Sequence, residues 1–565
     1  MKERLESAAR DADAFIGKWP VEAMEAVEPV ELAELLRELA DVRAAREEGK
    51  WWAFLLARTD TENPGVLDVQ AWVDSVLPRF DEAIRQFELG WSLVADKRAE
   101  ELVLDEAVAR ERHYLLSTRR FRPFMLSPAE ERVLRAREAS ASTAWKSLRG
   151  RVLGELETTF DDGTGPRAWS LSELLATRAH PDRSLRRMCW EAVGQLLDTV
   201  LPLIASCYDA VVADRIGVDA LRGYSDPMEA TNLENELEAE AVDSLLAATE
   251  AHFELGQRWF VKKARLLGLE RLDTIDLLAP VLEPRLIAWE DARRRAIDVF
   301  AGITPTLGYE AERFFSERRI DAEPRRGKPY GAMCVWPSTR VPGFVVVNWS
   351  GTLFDLVMLT HELGHGTHFA LAGKRQSDNS FKPGFALAEV PATFAQLRLV
   401  DDLVEAGDEL ASPMLARTLD SVVGAVFNQA AYTRYEQAAY RLRAEGYALT
   451  HDRLSELCDT ELAKVWGDGM TDELGMRTTM WAPLPHFIHE RFYTYTYVFA
   501  FLLAVALLAR SHEPGFGERY ERFLAAGGSG APEDLLATVG VDLRDAGLWN
   551  DGFNVIERWL ETISS

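Results

Sequence analysis

Residues 351–373 read GTLFDLVMLTHELGHGTHFALAG, and the rest of the chain is best interpreted outward from them. Thr352 with Asp355 three residues later has the form of a capping box, and Gly373 marks an expected C-terminal stop, so the stretch predicts one apolar helix. On that helix His361 and His365 are i and i+4. They therefore share a face, with Glu362 beside them. Two neutral imidazoles on one face can ligate one cation, and the adjoining carboxylate can take a proton from water that the cation acidifies. An apolar helix accommodates His, Glu and His together only where something compensates their polarity. Three of the ten histidines of the chain, His361, His365 and His368, fall in this one helix.

A catalytic zinc needs a third protein ligand and an open position. His365-Gly-Thr-His368 does not give the HxxGxxH spacing that would supply a third histidine. The following segment, Phe385-Ala-Leu-Ala-Glu389-Val-Pro-Ala-Thr-Phe394, is expected to be the next helix. It offers Glu389, a carboxylate in apolar surroundings where it would be costly unless ligated or paired.

The chain has 565 residues, and 64 Lys+Arg against 91 Asp+Glu give a net charge of −27. That balance argues against a duplex-binding protein, and no basic run offsets it. Its 26 Phe, 16 Trp and 13 Tyr exclude a disordered chain, and its length exceeds what one hydrophobic core usually organises. Cys189, Cys207, Cys334 and Cys458 are too scattered for a metal knuckle or a redox pair, which fits a reducing compartment. The N-terminus lacks an apolar leader pattern, and the most apolar stretch, Val498 to Ala509, is too short to span a bilayer. A cytoplasmic protein with no membrane and no nucleic-acid partner is expected.

Helical periodicity runs through residues 30–160, for example Leu32, Leu35, Leu36 and Leu39, then Val73, Val76 and Leu77. A break is expected at Asp60-Thr-Glu-Asn-Pro-Gly65. Gly163-Thr-Gly-Pro166 is the best linker candidate of the first third, flanked by a strand pair near 155–160 and 168–171. Phe344-Val-Val-Val-Asn348, bounded by Pro-Gly and Ser-Gly, has a strand signature.

These segments together resemble the M3 peptidases, in particular the oligoendopeptidase F branch. The matching residues are Gly327-Lys328-x-x-Gly331-Ala332, Gly351-Thr-Leu353, His361-Glu-Leu-Gly-His365-x-x-His368 and Glu389-x-Pro391-x-x-Phe394. Downstream come Trp481-Ala-x-x-Pro485-His486-Phe487 and Phe492-Tyr493-x-Tyr495-x-Tyr497. Arg222-Gly-Tyr224 and Phe124-Met-Leu-Ser-Pro-Ala-Glu-Glu131 also look like family segments. The resemblance implies a mainly α fold with a zincin-type core and a small β-sheet, inside a helical two-lobed shell that encloses a deep substrate channel. Residues 1–175 would be a helical domain covering the channel, and residues 176–565 the catalytic domain. It further implies one zinc per chain on His361, His365 and Glu389, with Glu362 as general base. His486 and Tyr497, with Tyr493 as a further candidate, would stabilise the oxyanion of a short unfolded peptide cut at an internal bond. Tyr493 and Tyr497 are i and i+4, so a helix would turn Tyr495 elsewhere; His489 is a spare candidate. Seven residues after Glu389 the family commonly carries Glu to orient a zinc-binding histidine, where this chain has Gln396.

Other readings are open at this point. Gly331-Ala332-Met333 resembles the start of the aminopeptidase GAMEN signature, but Cys334 and Val335 replace its Glu and Asn. An M32-type zinc carboxypeptidase has a similar third-ligand distance but matches the Glu389 context less well. A peptide-binding protein that has lost activity is suggested only by Gln396, against intact His361, Glu362, His365 and Glu389.

Overall fold

Helix capping and three-to-four-residue periodicity give a chain built almost wholly of helices. The computed structural model describes it over residues 1–59, 63–281, 286–325, 328 and 331–563. Within the expected break, Asp60, Thr61 and Glu62 lie outside the described residues, as does Gly327 of the Gly-Lys motif. Seven short strands are present among the described residues: β1 (Glu157–Phe160), β2 (Arg167–Ser170), β3 (Leu272–Asp273), β4 (Ile320–Asp321), β5 (Met333–Val335), β6 (Phe344–Val346) and β7 (Met470–Thr471). They form a β1-β2 hairpin, a parallel β3-β7 pair and a three-stranded sheet in the order β4-β6-β5.

The chain divides into two compact units, each built from three segments. The first comprises Met1–Pro123, Pro284–Asp402 and Arg510–Leu543. Its opening helices, Lys2–Lys18, Pro29–Thr59 and Pro64–Leu93, bury Leu32, Leu35, Leu36, Leu39 and Val73 with Phe80, Phe87 and Trp91 in one core. These include the apolar positions that the periodicity singled out. The strand expected at Phe344 is β6. It is the central strand of its sheet, paired antiparallel with β5, which has no clear signature of its own, and parallel with β4. The HExxH helix runs Leu353–Arg375, two residues past the expected stop at Gly373. Its capping box is complete: Asp355 N–H donates to Thr352 Oγ1, and the Asp355 carboxylate accepts from Thr352 N and from both N and Oγ of Ser350.

The second unit comprises Phe124–Glu283, Leu403–Ala509 and Arg544–Ser565. Gly163-Thr-Gly-Pro166 is not a linker. It is the turn of the β1-β2 hairpin, where Asp161 Oδ1 accepts from the amides of Gly163 and Gly165, both at positive φ. Two segments recognised separately in the sequence meet here. Arg222 forks onto both oxygens of Glu131 (2.7 and 3.0 Å) and onto the Phe124 carbonyl (3.1 Å), while the Phe124 and Tyr224 rings stack at 4.2 Å. The apolar run is the helix Thr494–Arg510, buried from Val498 to Leu508. Among the described residues no single helix is long and apolar enough to cross a membrane; one pair, Arg183–Asp198 with Leu201–Arg222, passes that test only when joined across a 62° bend.

Candidate metal centre

His361 and His365 project from one face of the Leu353–Arg375 helix, one turn apart, with ring centroids 5.0 Å apart and planes nearly perpendicular. Glu389 sits at the break between the short helix Phe385–Ala388 and the helix Val390–Glu405, not inside a continuous helix as the sequence suggested. Its Oε2 lies 3.6 Å from His361 Nε2 and 3.7 Å from His365 Nε2. These are too long for hydrogen bonds. They suit three donors that share one ion, since ligands held about 2.0–2.2 Å from a tetrahedral centre lie roughly 3.4 Å apart. Two imidazoles and a carboxylate also form the donor set of a catalytic zinc site with an open position. The residues present therefore fit a divalent metal.

The site's surroundings support this geometry. His361 Nδ1 lies 3.1 Å from Gln396 Oε1, so the amide takes the ring N–H and leaves Nε2 free as a ligand atom. Burial alone would lower the His361 pKa, but Glu389 and Glu362 outweigh it and hold the imidazole above its ordinary value. For His365, burial and the neighbouring His361 act together and lower it to about 4, which keeps its imidazole neutral. Glu389 is pushed up by burial but ends below its ordinary value because of the two histidines. His368 is buried outside this group, lowered by burial to about 3, and its ring stacks on Phe369.

Glu362 is 5% exposed. Burial raises its carboxyl to about 7, opposed by His361 and by the backbone of Cys334 on β5 and reinforced by Glu389. A group of that acidity both accepts and returns a proton near neutral pH. Cys334 is a structural thiol, pushed well up by burial and by Glu362.

The downstream motif lies in the second unit. His486 Nε2 is 3.1 Å from Tyr497 Oη, the His486 ring stacks on Tyr493 (5.7 Å), and Tyr493 meets Tyr497 edge-on (5.2 Å). Tyr495 turns away, as its spacing predicts: it is fully buried, with its hydroxyl between Asn235 and the Thr231 carbonyl. His489 contributes its carbonyl, which accepts from Lys146 and Arg215.

The sequence did not reveal what lets Glu389 approach. A Cβ on Gly364 would stand 2.6 Å from Ala392 Cα and 2.8 Å from the Pro391 carbonyl, so the backbone after Glu389 packs directly on the glycine of HELGH. That contact is non-local and has no signature of its own.

Residues 307–555 match the family described as Peptidase family M3, and residues 93–157 match Oligopeptidase F. The chain is 26% identical over 384 residues to "Group B oligopeptidase PepB" of Streptococcus agalactiae, covering 67% of this chain and 63% of that protein. It is 25% identical over 468 residues to "Oligopeptidase PepF" of Bacillus subtilis, covering 80% and 68%. The crystal structure of oligoendopeptidase-F from Enterococcus faecium shares the fold, with a TM-score of 0.72 over 99% of this chain and 96% of that one, at 20% identity. The chain thus spans about three-fifths of the length of the first of these curated relatives, and the M3 match decides between the M3 and M32 readings. Taken with the zincin-type helix and the His-His-Glu cluster, these matches identify a Peptidase family M3 region over residues 307–555 and an Oligopeptidase F region over residues 93–157.

Proposed function

We propose that the protein is a zinc-dependent endopeptidase that hydrolyses internal bonds of short unfolded peptides. The observation that carries this is the convergence of His361 Nε2 and His365 Nε2 on one oxygen of Glu389, beside a buried carboxyl poised at about 7. A divalent ion held by these three residues would supply Lewis acidity, making water more acidic and a peptide carbonyl more electrophilic. Two histidines and a carboxylate favour zinc, one per chain. Glu362 does the proton work. It takes a proton from water as the water oxygen bonds to the carbonyl carbon, and it gives that proton to the amide nitrogen as the C–N bond breaks. The carbonyl oxygen carries the negative charge in between. His486 and Tyr497 are the proposed donors to it, and Tyr493 holds the His486 ring by stacking. Burial keeps the His486 imidazole below its ordinary pKa, so it acts as a neutral donor. The free state of all four cysteines supports a cytoplasmic location.

The test is incubation with a short peptide blocked at both ends, with products read by mass spectrometry. Internal cleavage abolished by a chelator, and reduced about 10²–10⁴-fold in Glu362→Gln, is expected. Cleavage only after one end is unblocked would make the protein an exopeptidase. No cleavage by metal-loaded protein would leave a peptide-binding protein.

A further inference from the structure

A cavity of about 850 Å³ lies within the first unit, walled by the Pro29–Thr59 and Pro64–Leu93 helices and by the loops at Pro337 and Asp378–Lys382. The first loop leaves the edge strand β5, and the second leaves the HExxH helix. Nearly every charged group on its wall already has a close partner. Arg43 donates to Glu88 (2.8 Å) and Tyr114 (2.6 Å), and Arg46 donates to Asp81 (2.6 Å) and Glu47. Asp378 accepts from Thr339 N (2.9 Å) and Oγ1 (2.7 Å).

Lys382 is different. Among the described residues its Nζ has no hydrogen-bond acceptor, and its ion pair is a long one, 3.9 Å to Glu47 Oε2, an oxygen that Trp51 Nε1 already occupies at 2.9 Å. The ammonium otherwise rests over the Phe381 ring, 5.1 Å from its centroid. Lys382 is exposed, with 35% of its side chain open to solvent, and the packing around the remainder holds it below its ordinary pKa, with Glu47 opposing. A partly desolvated cation with no close counter-ion gains most from an incoming anion.

The cavity also neighbours the proposed chemistry. Phe381 meets Phe369 edge-on at 6.2 Å, and Phe369 stacks with His365 at 6.2 Å. The Cys334 thiol on β5 senses both Glu362 and Lys382. Two ring contacts correspond to about three or four residues of extended peptide, at roughly 3.3 Å per residue.

We propose that Lys382 is the anchor of an anion subsite in this cavity and takes a carboxylate of the bound peptide, at its C-terminus or on an acidic side chain. This rests on the peptidase reading, since the ligand is the substrate itself. The incoming carboxylate forms a charge-assisted hydrogen bond with Nζ and displaces the long pairing to Glu47.

The experiment uses the full metal-loaded chain and one peptide in matched forms. One pair is free acid against C-terminal amide; a second set has Glu against Gln at each position away from the cut. Affinity is read by calorimetry in Glu362→Gln, so it does not depend on turnover, and kcat/KM is read in the parent. The carboxylate form is expected to be preferred about 10-fold, mostly through KM and less at high salt. In Lys382→Gln the preference should collapse to near one, and in Lys382→Arg it should partly return. Whether the first or the second set shows the effect identifies the source of the carboxylate. A parent without any such preference, or a preference that survives in Lys382→Gln with unchanged melting temperature and metal content, overturns the subsite. Binding that shows the preference without any cleavage would sink the peptidase reading and leave the subsite standing.

Discussion

A methyl group at Gly364 would lie 2.6 Å from Ala392 Cα, against backbone that cannot swing aside as a flexible side chain would. Gly364→Ala should therefore push the Val390–Glu405 helix outward and carry Glu389 away from the two imidazoles. The overpacking should cost about 1–3 kcal/mol of stability, and metal affinity should fall by more than that loss of stability explains. Competition against a chromophoric chelator beside a melting curve separates the two effects, and an alanine variant that binds metal like the parent would refute the packing argument. Gln396 acts at the same scale. As the acceptor opposite His361 Nδ1 it fixes the ring, so Gln396→Ala should weaken zinc binding about 10–100-fold. Gln396→Glu should tighten it, because a carboxylate makes the opposite nitrogen a better donor to the metal. The same titration checks both variants, and a Gln396→Glu protein no tighter than the parent would show that ring orientation, not basicity, is what this position supplies.

At the scale of elements, the segment 485–493 carries only the single helical turn His486–His489 before the chain enters the helix Thr494–Arg510, and Arg215 and Glu436 hold it from beneath. Arg215 donates to the carbonyls of Phe487, Ile488 and His489 (2.9, 2.9 and 3.2 Å), and Glu436 Oε2 accepts from Phe492 N (2.9 Å), a residue at φ +52°. Burial pushes the Glu436 carboxyl up to about 8, opposed by Arg215, the Phe492 amide and Arg491. Tyr208 and Tyr435 face the same group with buried hydroxyls. Because its folded pKa lies above the unfolded value of 4.5, the folded state holds the proton more tightly. Its contribution to stability is complete below about pH 4.5 and is lost as pH rises through about 8. The upper bound is on the order of 5 kcal/mol. Melting curves from pH 5 to 9 should show the parent falling relative to Glu436→Gln toward alkaline pH; parallel profiles would mean that Glu436 is ionised throughout.

Elements of this kind also show where sequence reading stops. The HExxH helix, its capping box, the strands β1 and β2 (though not the turn that joins them) and the turn of Tyr495 away from Tyr497 were legible, because each depends on residues close together in sequence. Gln396 was found at its position, and the structure places it on His361. The edge strand β5, the two-residue strands β3 and β7, and the approach of Ala392 to Gly364 were not legible. The β3-β7 pair and the Gly364–Ala392 contact join segments distant in sequence, while β5, paired with the nearby β6, is three residues long, too few to show a period.

The whole molecule makes this dependence on distant segments most visible. Both histidines, Glu389 and Glu362 belong to the unit formed by Met1–Pro123, Pro284–Asp402 and Arg510–Leu543. Metal bound there stabilises the folded state of that unit by about 2.7 kcal/mol when free zinc is 100 times its dissociation constant. For a unit of a few hundred residues, that is a shift of several degrees. Chelation should lower the melting temperature by this amount, and zinc should restore it. Hydrogen exchange should slow on zinc addition across residues 353–405 and the helices of 1–123, with residues 124–283 following only if the units unfold together. The control is Glu389→Ala, in which the response to zinc should largely vanish. If the zinc response survives in Glu389→Ala, the ion that stabilises the fold is bound elsewhere and the assignment of the metal centre fails. If Glu389→Ala alone removes it, the ion that stabilises the unit is the one bound beside Glu362.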